Sequence, residues 1–203
     1  PLIVHIGEYE QLADLVIEIP EKAKKLAQTF WPGPLTMIFK KKESIPSVVS
    51  GGLDSVAVRF PVHPVARDII NTSECPLAAP SANLSGSPSQ TTVGHVIKDM
   101  DGRISAIVDG GMCDVGVEST VLSVIEDTPR LLRPGGITVE MIKNVVGPIK
   151  IDPAVTNKLK DGAVAASPGM KYKHYSPSAR VILLDGNPQS IISYINSHAE
   201  KGV

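Results

Sequence analysis

Short β-branched apolar runs, each stopped by proline or glycine and interleaved with stretches of helical period, limit most severely what this chain can fold into. Residues 2–6, 35–39, 55–60, 77–79, 104–108, 119–125 and 130–132 read as strands. Between them, helices are predicted from Pro20 to the WPGP turn, from His63 and Pro64 through Ile70, from Thr91 to about Met100, and over 138–145. In the first of these, Ala23, Leu26, Ala27 and Phe30 fall at i, i+3, i+4 and i+7, with Glu21, Lys22, Lys24 and Lys25 largely outward. Such interleaving predicts an α/β protein. In residues 55–60, Val56, Val58 and Phe60 alternate with Ser55, Ala57 and Arg59, so Arg59 points away from the face its neighbours bury.

The chain has 203 residues and 42% apolar content, enough for one packed domain and part of another. Lys and Arg (20) nearly cancel Asp and Glu (21), so no global field recruits nucleic acid, and a charged ligand has to be held by a local cluster. Cys75 and Cys113 have no metal spacing and form no disulfide framework, which fits free thiols in a reducing cytosol. No apolar run approaches the roughly 18–20 residues of a membrane span, and no signal-peptide pattern opens the chain. The cytoplasm is the expected compartment. Both ends read as cut: Pro1 enters directly on a strand-like run, and the chain stops after a helical stretch, so it is expected to be a fragment.

Composition shifts after Gly147. Residues 148–178 mix Pro, Gly, Lys and Ala with little periodicity, which suggests a functional loop or linker between a first unit over 1–147 and a second beginning at 179. RVILL at 180–184, followed by a helical stretch over 188–198, reads as the first βα unit of that second domain.

Polar groups collect at strand ends, where α/β proteins build their sites. In PLAAPSANLSG (76–86), Pro80 ends the strand, Ser81 and Asn83 offer a hydroxyl and an amide, and Gly86 relieves crowding. Taken alone, such a loop is more often an Asx or Ser turn closed on itself. DGGMCDVGVEST (109–120) delivers Glu118, Ser119 and Thr120 to a strand start, and LLRPGG (131–136) ends a strand on Arg133. With Arg59, these segments supply two guanidinium groups and several hydroxyls, the donors that suit carboxylate and phosphate. A site for an anion follows. No P-loop, GxGxxG, GxSxG or HExxH pattern is present. His5, His63, His95, His174 and His198 show no metal spacing, which predicts no metal held by the protein alone. In SPGMKYKHYSP (167–177), tyrosines and cations between two prolines suit a segment that covers a base or phosphates.

In order, PLIVHI, WPGPLT, SVAVRFPVHP, PLAAPSANLSG, DGG with GVEST, LLRPGGIT and SPGMKYKHYSP resemble the YrdC-like family, and more closely its long two-domain members, the L-threonylcarbamoyladenylate synthases. The resemblance runs from Pro1 to Pro177. It implies a twisted mixed α/β sheet with a concave cavity, then a linker and the start of a Rossmann-like domain. It implies condensation of L-threonine, bicarbonate or CO2 and ATP to threonylcarbamoyl-AMP with release of pyrophosphate, a nucleotidyltransferase reaction. Mg2+ would come with ATP; a tRNA threonylcarbamoyl transferase, with contact to tRNA or RNA, would act downstream.

Carried onto this chain, the resemblance makes His5, Arg59, Ala79 and Ser119 the threonine-side residues, and Ser55, Ser81, Asn83, Ser89, Arg133 and Tyr175 the ATP-side residues. No enzyme nucleophile is implied, so no side chain is assigned a covalent catalytic role. Two departures stand out. The family's PTETVYGLG-like strand and its KxRP segment are absent from this chain, which predicts poor synthase activity for these residues alone, and Gln90 stands where the family usually has proline. An RNA-binding module of the same fold is the alternative reading, against which the near-zero net charge counts. The carbamoyl-transfer domain of hydrogenase maturation factors is a third, disfavoured by the linker.

Overall fold

The computed structural model describes residues 1–156 and 181–198. In chain order the elements are β1 (Ile3–His5), a 3-10 turn (Tyr9–Gln11), α1 (Leu12–Leu15), α2 (Glu21–Phe30), β2 (Leu35–Lys40), α3 (Ser47–Ser50), β3 (Ser55–Arg59), α4 (Pro64–Thr72) and β4 (Leu77–Ala79). They continue with α5 (Val93–Met100), β5 (Thr120–Ser123), β6 (Arg130–Arg133), α6 (Val139–Val146), β7 (Lys150–Ile151), α7 (Pro153–Thr156) and α8 (Pro188–His198).

The strands form one mixed sheet in the order β4-β1-β3-β2-β5-β6-β7. β1 runs parallel to β3, β2 to β5 and β6 to β7, while the pairs β1 with β4, β2 with β3 and β5 with β6 are antiparallel. Mixed pairing follows from the connections: a hairpin cannot join parallel neighbours, so helices and long loops make those crossovers.

The period-two alternation decides the faces. Val4, Leu35, Met37, Phe39, Val56, Val58, Phe60, Leu122 and Leu131 bury one face against Leu12, Leu15, Ala23, Leu26 and Ile142 of the helical layer. The opposite face carries a smaller apolar cluster of Ile38, Ala57, Val121 and Leu132. α2 buries Ala23, Leu26 and Ala27, the predicted stripe, while Phe30 is only partly buried against the same core. α6 is capped by the Thr138 hydroxyl, which accepts from the Met141 amide.

Three expectations need correction. Residues 104–108 form no strand, and Val108 is 63% exposed: a β-branched run between Gly102 and Gly110 becomes a strand only where a neighbour accepts its ladder. Likewise, residues 181–184 form no strand, and Leu183 is 93% exposed, because no strand among the described residues pairs with them. Finally, the sheet runs on past the boundary expected at residue 147. Lys150 donates its amide to Pro129 and Asp152 to Leu131, which draws Lys150–Ile151 in as the seventh strand. Two residues are too few to show a period, so this strand left no pattern in the sequence. Most of the 148–178 segment, including Tyr175 and the SPGMKYKHYSP motif, lies outside the described residues.

Candidate functional site

Register brings the chemistry together on the sheet face opposite the helical layer. His5 lies beside Arg59, Arg59 opposite Thr36, Thr36 beside Val121 and Val121 opposite Arg133. Paired positions on adjacent strands share a face, so this is one transverse row, with strands about 4.8 Å apart. Between Val121 and Leu122 the register shifts by one residue, so that Leu131 opposes Leu122 but Arg133, rather than Leu132, opposes Val121. An extra residue at this point re-aims a side chain; here Arg133 reaches the Ser119 carbonyl through Nε (3.1 Å) and Nη2 (3.0 Å), and the Ser119 hydroxyl through Nη2 (3.1 Å).

Two tight turns make these reaches possible. Gly33 donates its amide to the Phe60 carbonyl and offers its own carbonyl to Arg59 Nε at 3.2 Å. Gly135 packs its Cα so closely on the GVEST backbone that a Cβ there would lie 2.4 Å from both the Glu118 carbonyl oxygen and the Thr120 nitrogen. Only glycine fits. The LLRPGG and GVEST motifs are therefore one packed unit.

Electrostatics are uneven along the row. Burial first, and the neighbouring positive charge of Arg59 second, lower the pKa of His5 to about 4, so the imidazole is neutral at pH 7. Its Nδ1 is buried with no hydrogen-bond partner among the described residues. Burial, and then the charge of Arg133, also pull the pKa of Arg59 below its usual value. Two guanidinium groups thus repel one another across a partly dry face, which favours an anion between them.

The far side of the row is tied to a carboxylate. Arg133 Nη1 donates to Glu118 Oε2 at 2.5 Å, and the Ser89 hydroxyl donates to Glu118 Oε1 at 2.8 Å. Arg59, His5, Ser119, Arg133 and Ser89 are accordingly within one connected arrangement. Ala79 joins it from the edge strand, opposite Ile3 and on the same face as His5.

The loop after β4 is partly self-contained. Asn83 donates Nδ2 to the carbonyls of Leu84 (2.9 Å) and Ser87 (3.0 Å), the local closure that the sequence left open, while its buried Oδ1 has no partner among the described residues. Ser81 is exposed at the head of this loop. Asp99 of α5 pins the loop from outside, accepting from the Leu84 amide (3.3 Å) and from Gln90 Nε2 (2.5 Å). Gln90, noted above as a departure from proline, thus anchors the loop by a side-chain bond.

Ser55 is not brought to this cluster. It opens β3, four residues and about 13 Å from Arg59, and lines a groove of about 600 Å³ with Lys40, Lys41, Glu43, Asp54 and Ile125. Thr36 was not singled out from sequence, and Glu118 was noted at a strand start without a role of its own. The first had a signal: a hydroxyl at position two of the strand LTMIFK, inside an otherwise apolar run. Glu118 had none, since its role depends on segments remote from it in the chain.

Among the described residues no three His, Cys, Asp or Glu side chains converge as a metal site, and no helix is long and apolar enough to cross a membrane.

A family profile for Sua5_yciO_yrdC, described as telomere recombination, matches residues 1–135, and one described as threonylcarbamoyl-AMP synthase, C-terminal domain, matches residues 137–202. The chain is 55% identical to the threonylcarbamoyl-AMP synthase of Pyrococcus abyssi over 92% of its length and 54% of that protein's. It is 50% identical to the Bacillus subtilis threonylcarbamoyl-AMP synthase over 100% of this chain and 58% of the relative. It therefore spans little more than half of each. The crystal structure of P. abyssi Sua5 complexed with L-threonine superposes with a TM-score of 0.90 at 51% identity, covering 100% of this chain and 60% of that one.

Proposed function

The chain belongs to the Sua5/YciO/YrdC family, and on that premise we propose that its protein is a threonylcarbamoyl-AMP synthase, joining L-threonine, CO2 or bicarbonate and ATP for the modification of adenosine in tRNA. The observation that carries this reading is the row on which Arg59 and Arg133 share one sheet face with His5 and Ser119. Two relatives with this name are 50% or more identical to the chain, and a solved relative at 51% identity holds L-threonine.

On this reading Arg59 takes the threonine carboxylate, beside Ser119 and the neutral His5, with Ala79 offering backbone at the edge. A neutral imidazole adds no further positive charge next to the threonine amine and so does not hinder its deprotonation. The free amine attacks the carbon of CO2, and one proton leaves to give the N-carboxylate; from bicarbonate, that proton departs with the displaced hydroxide as water. A carbamate oxygen then attacks the α-phosphorus of ATP, and the bond to the β,γ-diphosphate breaks, releasing pyrophosphate. Arg133, Ser89, Ser81 and Asn83 lie on the nucleotide side, with Tyr175 as a further contact. Neither step needs an enzyme nucleophile: catalysis is placement and charge stabilisation, and correct placement alone supplies several kcal/mol, up to roughly 7–11.

Mg2+ fits this site as a companion of the phosphates, because the carboxylate beside Arg133 is already engaged by Ser89 and Arg133. When bound it neutralises phosphate charge. The two-domain division, a cytoplasmic location, and a downstream transferase acting on tRNA complete the proposal. Near-zero net charge speaks against a dedicated RNA-binding module.

The test is pyrophosphate release by the full-length protein supplied with threonine, bicarbonate and ATP. Release that depends on threonine supports the reading; release unaffected by its omission refutes it.

A further inference from the structure

We propose that Glu118 is a positioning residue for the nucleotide side of the site, holding Arg133 in its working orientation and joining it to the loop that carries Ser89. The inference rests on the reading of Arg133 as a nucleotide-side group.

Among the described residues, three separate segments meet at this carboxylate. The strand β6 supplies Arg133, the GVEST turn supplies Glu118 itself, and the loop before α5 supplies Ser89. The geometry assigns each nitrogen of the guanidinium a duty. Nε and Nη2 both donate to the Ser119 carbonyl, which grips one edge of the planar group, and Nη1 donates to Glu118 Oε2. With one edge on a main-chain oxygen and the remaining nitrogen on a carboxylate, rotation about the guanidinium is stopped. The other oxygen of Glu118 accepts from Ser89, so any movement of that loop is felt at Arg133.

Burial gives the arrangement its weight. The Arg133 and Glu118 side chains are only 13% and 20% exposed, so water screens the pair weakly. Arg59 lies close enough that the charge of Arg133 disfavours its own. A carboxylate on the far side of Arg133 offsets that repulsion, letting two guanidinium groups share one face before an anionic ligand arrives. Glu118 therefore acts on a ligand through Arg133 and not by touching it.

An ordinary structural ion pair would show none of the ligand selectivity this role requires, and buried pairs are weak evidence for stability in any case. The experiment is calorimetric titration of ATP and, separately, L-threonine into the full-length protein, its Glu118→Gln and Ser89→Ala variants, and the double variant. Glu118→Gln keeps the shape but removes the negative charge that faces Arg133 Nη1. It is expected to weaken ATP about tenfold while threonine stays within about twofold, which also shows that the variant is folded. Ser89→Ala is expected to weaken ATP about threefold, and the double variant to be no worse than Glu118→Gln alone, because the hydroxyl acts through the carboxylate.

Unchanged or tighter ATP binding in Glu118→Gln overturns the proposal, as does full additivity in the double variant. If Glu118→Gln loses both ligands, nitrogen-15 NMR of Arg133 in the two proteins decides, by the outcomes given below for the holding role. Should the unaltered protein bind no ATP, the nucleotide reading itself falls, and nitrogen-15 NMR of Arg133 decides the rest. Hindered rotation of its Nη groups that vanishes in Glu118→Gln supports the holding role; rotation equally hindered in both overturns it.

Discussion

The hydroxyls of Thr36 and Ser119, 83 positions apart in the chain, meet at 2.8 Å across the parallel pair β2 and β5, and both residues are almost wholly buried. Ser119 also accepts from Arg133, so the bond links the centre of the sheet to the charged row. Thr36→Val removes one partner and leaves Ser119 its arginine. It is expected to cost about 1 kcal/mol in urea unfolding, whereas Ser119→Ala strips a partner from both Thr36 and Arg133 and costs about 2–3 kcal/mol. Equal losses for the two variants would contradict this ordering.

Arg59 and Arg133 are expected to serve different ligands. Replacing Arg59 with alanine weakens L-threonine by roughly 10- to 100-fold and ATP much less, and Arg133→Ala gives the opposite pattern, the scale of a lost charged hydrogen bond. Isothermal titration with each ligand reads the split directly, and a reversed pattern would swap the two assignments.

His5 makes stability depend on pH. Its folded-state pKa of about 4 lies below the ordinary 6.5, so between these values the unfolded chain takes a proton that the folded state refuses. The contribution is complete above pH 6.5 and is lost as the pH falls toward 4, amounting to about 3 kcal/mol at most. In denaturant titrations across that window, His5→Phe is expected to lose visibly less stability than the parent protein. Parallel pH curves would show that His5 is not the group responsible.

Gly135 is where two motifs touch. A methyl group there meets backbone atoms at 2.4 Å, and backbone cannot rotate away as a side chain can. Gly135→Ala is expected to destabilise by roughly 1–3 kcal/mol, the cost of overpacking, and to weaken ATP because Arg133 is displaced with the turn. A melting temperature equal to that of the unaltered protein would refute the close approach.

Much of this architecture was legible in the residues alone. Alternation over SVAVRF placed Arg59 on the face opposite Val58, and the helical stripe of α2 was visible as a period in Ala23, Leu26 and Ala27. The ordered motifs carried the family resemblance. Ile104 to Val108 misled because β-branched composition favours a strand but does not suffice for one, and the role of Glu118 stayed hidden because nothing within the GVEST stretch points to Arg133 or Ser89.

Sequence by itself determined which segments could be strands, which side of each would be apolar, and where polar groups would gather at their ends, because these follow from side-chain period and from the φ limits of proline and glycine. Only the tertiary structure decided that β3 lies between β1 and β2, that β5 shifts register against β6, and that His5, Arg59 and Arg133 fall on one line. Those facts belong to hydrogen-bond pairing between distant segments. Such pairing is chosen by the packing of the whole sheet and leaves no periodic trace in any one of them.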